Sequence, residues 1–137
     1  MKRLALLTGI SLYLCANPTG HEVTCGSASI HQIDRNTLHI HAGDKAIIHW
    51  KDFSIEKGEL TKVLQPGCKS ALLNRVKGDN PSHIFGRLES NGQIFLINPH
   101  GIVIGKEGVI DTGAFIGSTF DILDQAFLEG GEILFAG

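Results

Sequence analysis

The stretch Gln93-Ile94-Phe95-Leu96-Ile97-Asn98-Pro99-His100-Gly101-Ile102-Val103-Ile104 decides how the chain folds. Two apolar runs, Ile94 to Ile97 and Ile102 to Ile104, flank an Asn-Pro-His-Gly break. The runs are too short for helices and rich in β-branched residues, so they read as strands. Proline fixes φ at an early turn position and Gly101 can supply positive φ, so the break reads as a turn. Both runs are continuously apolar, which suits strands covered on both faces better than strands with one wet face.

The same grammar extends outward in both directions. Upstream lie Ser29 to Ile33, Thr37 to His41, Lys45 to Trp50, Phe53 to Ile55, Ala71 to Leu73 and His83 to Phe85. Downstream lie Val109-Ile110, Ala114 to Ile116 and Glu132 to Phe135. Turn formers separate them: Gly43-Asp44, Pro66-Gly67, Gly78 to Pro81, Asn91-Gly92, Gly105, Gly108 and Gly113. Asn91-Gly92 between two apolar runs is also a type I′ hairpin signal. The best helical candidate is Phe120 to Leu128, ended by Gly130. Short strands with frequent turns predict an all-β protein. Two architectures fit, an antiparallel sandwich and a parallel β-helix. Ile84 and Ile102 are 18 residues apart, and Ile94 and Phe115 are 21 apart, spacings that suit β-helix coils of that length.

The 137-residue chain holds 17 Gly but 4 Pro, with no collagen period. Hydrophobic residues make up 42% and charged residues 19%, so the chain is globular rather than disordered. A formal net charge of −2 excludes a generally basic nucleic-acid binder.

Lys2 and Arg3 precede the uncharged, mostly apolar run Leu4 to Ala16. That run is shorter than the roughly 20 residues a membrane span needs, and it fits the h-region of a Sec signal. Asn17-Pro18-Thr19-Gly20 follows, so residues 1–20 are expected to be a signal peptide and 21–137 the exported domain. Cys15 falls in that signal. Cys25 and Cys68 remain, either as a disulfide, which export permits, or as two free thiols.

Further motifs fall in a fixed order around the opening stretch. Leu73-Asn74-Arg75-Val76 is followed by Asn80-Pro81-Ser82, Ile84-Phe85-Gly86 and Asn91-Gly92-Gln93, then by Phe95 to Ile102. Ile48-His49-Trp50 with Phe53-Ser54-Ile55 lies upstream, and Ser118-Thr119-Phe120-Asp121-Ile122 lies downstream. This series resembles the secretion domain of filamentous-haemagglutinin-type exoproteins of two-partner secretion, over roughly Ser29 to Gly137. The family's second turn Asn is His100 here. The resemblance implies a right-handed parallel β-helix with N-terminal cap strands. It further implies recognition by an outer-membrane β-barrel transporter with POTRA domains, folding at the surface of a Gram-negative cell, and no enzymatic activity or cofactor. Adhesion, haemolysis or toxicity, and any host-cell or glycan receptor, would belong to sequence further downstream. A stand-alone adhesin is the alternative function, and a polysaccharide-active β-helix enzyme a more distant one. Family members usually continue much further, so the chain is expected to be truncated at its C-terminus. The apolar Glu132 to Phe135 strand would then leave an open edge prone to self-association.

The residues expected to serve transporter recognition, structural turns, or both are Asn74, Arg75, Asn98, Pro99, His100, Gly101 and Ile102. Asn74 and Asn98 are expected at coil corners, and Asp79 or Glu89 are the expected partners of Arg75. Trp50 and Phe53 read as core. His39 and His41 share one strand face, flanked by His31 and His49. Zinc ligation is one reading of these histidines and a wet cap face the other. With no carboxylate at ligand spacing and no Cys-x-x-Cys, no metal is expected. Asp111, Asp121 and Asp124 are scattered, and no nucleophile or phosphate-loop motif is present, so no catalytic residue is expected.

Overall fold

The computed structural model describes residues 17–130. The signal-peptide run and the Glu132 to Phe135 strand therefore lie outside the described residues, apart from 17–20. Among these residues twelve strands and one short helix follow each other: β1 Glu22–Cys25, β2 Ala28–Asp34, β3 Thr37–Ala42, β4 Ala46–Trp50, β5 Leu60–Leu64 and β6 Ala71–Val76. Then come β7 Ser82–Ile84, β8 Arg87–Ser90, β9 Gln93–Ile97, β10 Ile102–Ile104, β11 Val109–Asp111, β12 Ala114–Ser118 and helix α1, Asp124–Glu129.

The strands stack as a parallel β-solenoid. One wall is β3, β5, β8 and β11, and a second is β4, β6, β9 and β12, with all neighbours parallel. A third, shorter wall pairs β7 with β10 and bridges Ile55 to Ile84. Two antiparallel strands close the N-terminal end. β1 pairs with β4 and β2 with β3. These are the expected cap strands.

Stacking produces ladders of like residues one coil apart. Ala46, Leu72, Ile94 and Phe115 form one inward row, and Leu38, Thr61, Leu88 and Ile110 another. The Ile94–Phe115 spacing is thus a true coil repeat. The Ile84–Ile102 spacing is not, because Ile84 pairs with Ile104 and Ile102 with Ser82. The central core holds Ile40, Ile48, Trp50, Phe53, Ile55, Leu72, Ile84, Leu88 and Ile94, all buried. A second apolar layer covers the outside of the second wall. Ile47, Leu73, Phe95 and Ile97 there meet Ile122 and Phe127 from the helical segment. Two-sided burial explains why β9 is continuously apolar.

Several expectations are corrected here. The Asn91-Gly92 pair makes no hairpin. It turns a corner between β8 and β9, which lie in different walls, and the side chain of Asn91 pairs with the Gln65 backbone of the coil below, at 2.8 and 2.7 Å. The helix starts at Asp124 rather than Phe120: Leu123 before it is extended, and Arg75 bonds the Asp121 side chain and the Ile122 carbonyl just upstream. Strands β1, β5 and β8 do not stand out by pattern. β5 turns the polar Thr61 inward beside Val63, and β8 has Leu88 as its one buried residue.

The abundance of glycine has a packing cause at the corners. A Cβ on Gly78 would lie 2.0 Å from the Lys51 carbonyl oxygen, and one on Gly86 would lie 2.3 Å from that of Glu56. No side chain fits where adjacent coils approach this closely.

Residues 17–20 belong to the fold. Asn17 is buried, accepts a hydrogen bond from Thr61 Oγ1 at 2.9 Å and donates to the Asn36 carbonyl at 3.1 Å. Thr19 bridges Asp52. Cys25 and Cys68 stand as free thiols in this structure. Cys25 is turned into the second apolar layer, whereas Cys68 is exposed in the β5–β6 turn.

Candidate functional site

The Asn-Pro-His-Gly turn leaves β9 and enters β10. Asn98 is 0% exposed. Its Nδ2 donates to the Asn80 carbonyl and to Ser82 Oγ, both at 3.0 Å, so it ties the turn to the coil before it. Its Oδ1 accepts the backbone N–H of His100 at 2.9 Å, and its carbonyl accepts that of Gly101 at 3.0 Å. Its own N–H donates to Ser118 of the following coil at 3.0 Å. A buried amide without such partners costs about 1–3 kcal/mol for each unmet group, so this turn is specified by the Asn side chain. Gly101 has φ 114°, a region that β-carbon-bearing residues rarely adopt.

Pro99 and His100 project outward from this anchored corner and are exposed. The turn uses the backbone N–H of residue 100 and not its side chain. His100 in place of Asn therefore leaves the turn intact. Its imidazole Nε2 lies 4.0 Å from Asp79 Oδ1. Ile102, half-buried, begins the third wall of the upper coil.

Asn74 is not at a coil corner. It lies mid-strand in β6 and is fully buried. Its Oδ1 accepts Trp50 Nε1–H at 2.9 Å and its Nδ2 donates to the Phe95 carbonyl at 3.2 Å. The interior Trp indole therefore has its partner, as buried indoles require.

Arg75, one residue on, points to the opposite face. Nε donates to Asp121 Oδ1 at 2.9 Å, Nη1 lies 2.8 Å from Asp124 Oδ1, and Nη2 donates to the Ile122 carbonyl at 2.9 Å. Asp79 and Glu89 are not its partners, and Glu89 pairs with Arg87 instead. Sequence reasoning missed this because Asp121 and Asp124 are over forty residues away. The planar guanidinium, a multiple donor, clasps the helical segment onto the second wall. Nη1 also donates to His49 Nε2 at 2.9 Å. A guanidinium only donates, so Nε2 is the unprotonated nitrogen. Burial, then the positive charges of Arg75 and Lys77, hold the His49 pKa below its ordinary value. Lys45 makes a second clasp. Its Nζ donates to the Phe127 carbonyl at 3.0 Å and sits 5.0 Å from the centre of the Phe127 ring.

The named residues thus form two clusters. Asn98 to Ile102 with Asn80 and Ser82 make a locked corner, and Asn74 with Arg75 couples the core to the helical clasp. Neither arrangement presents a nucleophile beside a base. A parallel β-solenoid with antiparallel cap strands and a buried-Asn corner defines a secretion domain of the two-partner type. The family model for the TPS secretion domain matches residues 16–135, and the chain belongs to that family.

Similar proteins agree with this assignment. The crystal structure of the HMW1 secretion domain from Haemophilus influenzae superposes with a TM-score of 0.79 at 42% identity. The match covers 82% of this chain and 30% of that one. Two heme/hemopexin-binding proteins of Haemophilus influenzae are 34% and 30% identical over 106 and 105 residues. Each match covers 77% of this chain but only 11% and 12% of the relative, so the chain spans about a tenth of these relatives.

Proposed function

We propose that this chain is the non-catalytic targeting module of an exported exoprotein. A cognate outer-membrane β-barrel transporter with POTRA domains recognises it before it folds, and the solenoid assembles at the cell surface. The observation that carries this reading is the burial of Asn98. In the folded domain its amide faces the Asn80 carbonyl and Ser82, not solvent. A transporter can read that side chain only on an unfolded or partly folded chain. Extended segments separated by turns suit strand addition to a partner sheet edge.

The N-terminal run is read as a Sec signal, with cleavage after Ala16 rather than after Gly20. Cutting after Gly20 would remove Asn17 and leave the buried Thr61 hydroxyl without its acceptor. Sequencing the N-terminus of the exported chain tests this, and a product beginning at His21 would refute it.

The main test co-expresses the chain with the transporter of its own locus and compares periplasmic with released protein. Asn98→Ala is expected to accumulate in the periplasm. His100→Ala, which alters only the exposed face of the turn, is expected to be released normally. Normal release of Asn98→Ala would overturn the proposal, and selective retention of His100→Ala would show that the folded turn is what the transporter reads.

A further inference from the structure

The register of the N-terminal cap brings together three imidazoles that the secretion role does not use. His31 on β2 lies directly opposite His39 on β3, and His41 lies two residues further along β3 on the same face. The His31 and His41 ring centres are 5.1 Å apart, and those of His39 and His41 are 6.4 Å apart. His31 and His41 are exposed and His39 is half-buried, so all three stand on the outer face of the hairpin.

We propose that His31, His39 and His41 form a surface site for a borderline transition-metal ion, with Zn2+ as the ordinary occupant. Three neutral imidazoles with a fourth position open to water are an established zinc donor set. Imidazole suits zinc, copper and nickel rather than magnesium or calcium. The backbone supplies the arrangement: a His-x-His pair on one strand face, with a third His from the facing strand, all within side-chain reach of one point above the sheet.

Among the described residues, no three His, Cys, Asp or Glu side chains are already gathered around one point. His31 Nε2 is instead 2.9 Å from Ser29 Oγ. The strand register already sets where the three side chains leave the backbone, so gathering the rings is a matter of side-chain rotation. Lys62 follows His39 in the same row, half-buried, on a long and flexible stem. A metal here would staple β2, the outermost strand of its sheet, to β3.

The test is calorimetric titration of the purified chain with Zn2+, with Co2+ as a spectroscopic substitute. One ion per chain is expected, with a Co2+ spectrum free of the thiolate charge-transfer band that Cys25 or Cys68 would give. Loss of an outer-shell partner weakens metal sites by about 10–100-fold, so His31→Ala, His39→Ala and His41→Ala should each weaken binding at least about tenfold. His83→Ala, on another wall, should leave binding unchanged. Zn2+ should also raise the melting temperature of the parent chain, but not that of the triple His variant, by ordinary linkage. Unaltered binding by the triple variant, or a thiolate band with Co2+, would overturn the proposal.

Discussion

Trp50 Nε1 and Asn74 Oδ1 lie 2.9 Å apart inside the solenoid, the indole of one coil donating to the amide of the next. The same amide passes its own hydrogen on to the Phe95 carbonyl, one coil further. Three successive coils are therefore linked by one side chain.

Replacing Asn74 should be among the costliest single changes. Asn74→Leu strands the Trp50 N–H and the Phe95 carbonyl, each worth about 1–3 kcal/mol when buried and unmet. The expected loss is about 2–5 kcal/mol, read as a lower urea midpoint with an unchanged denaturant slope. A double-mutant cycle with Trp50→Phe should show the two losses to be less than additive. Full additivity would contradict the linkage.

Arg75→Met should free the helical segment while sparing the solenoid. Asp121 and Asp124 are about half exposed, so the loss is expected at about 1–3 kcal/mol, below that of a fully buried pair. Amide exchange should quicken in Asp124–Glu129 and not in β6 or β9. Arg75→Lys should restore little, because an ammonium cannot reach two carboxylates and a carbonyl together.

His49 gives the domain an acid-sensitive component. Its folded pKa is lowered, so between that value and the ordinary 6.5 the unfolded chain binds more protons than the folded one. Stability from this residue is present above about pH 6.5 and is lost as pH falls below it. His49→Gln should flatten the slope of stability against pH over that interval. An unchanged slope would show that another group is responsible.

The two thiols should differ in reactivity. Cys68 is exposed and should react quickly with a thiol reagent under native conditions, whereas Cys25, half-buried against Ile47, should react slowly. Mass spectrometry of the partly labelled chain reads this directly. Protection of both thiols, reversed by a reductant, would indicate a bridge between them.

The uppermost described coil is open. Ile104 is 50% exposed, and with Ile102 and Phe115 it lines an apolar groove. Ile104→Lys is expected to reduce self-association in sedimentation while leaving the melting temperature nearly unchanged, since surface substitutions usually stay within about 0.5 kcal/mol. A parent chain that sediments as a monomer would remove the basis for this expectation.

What the sequence discloses follows from how each feature is built. β9 and its turn are legible because a two-sided strand has an unbroken apolar run, and because Pro99 and Gly101 restrict the backbone. β5 and β8 are illegible by pattern because each meets the core with few residues, and only their parallel neighbours make them strands. The choice between sandwich and solenoid could not be made from the pattern of strands and turns. The ordered motifs carry it, since they mark corners such as Asn98 together with strand residues such as Asn74 and Phe95. The placements of Asn74 and Arg75 were missed because both depend on register. Asn74 needs Trp50 across one coil boundary, and Arg75 needs Asp121 and Asp124 from beyond the last one.

The parallel stacking has a kinetic consequence. Each strand finds its partner about one coil back, as Phe115 finds Ile94 at a separation of 21 residues. The entropy of closing such a loop depends only on that separation, rising slowly with its logarithm. A chain that adds further coils of this kind thus adds length without adding any more distant contact. Its search problem at coil fifty is the same as at coil four, whereas a sheet that joined its two ends would fold ever more slowly as it grew.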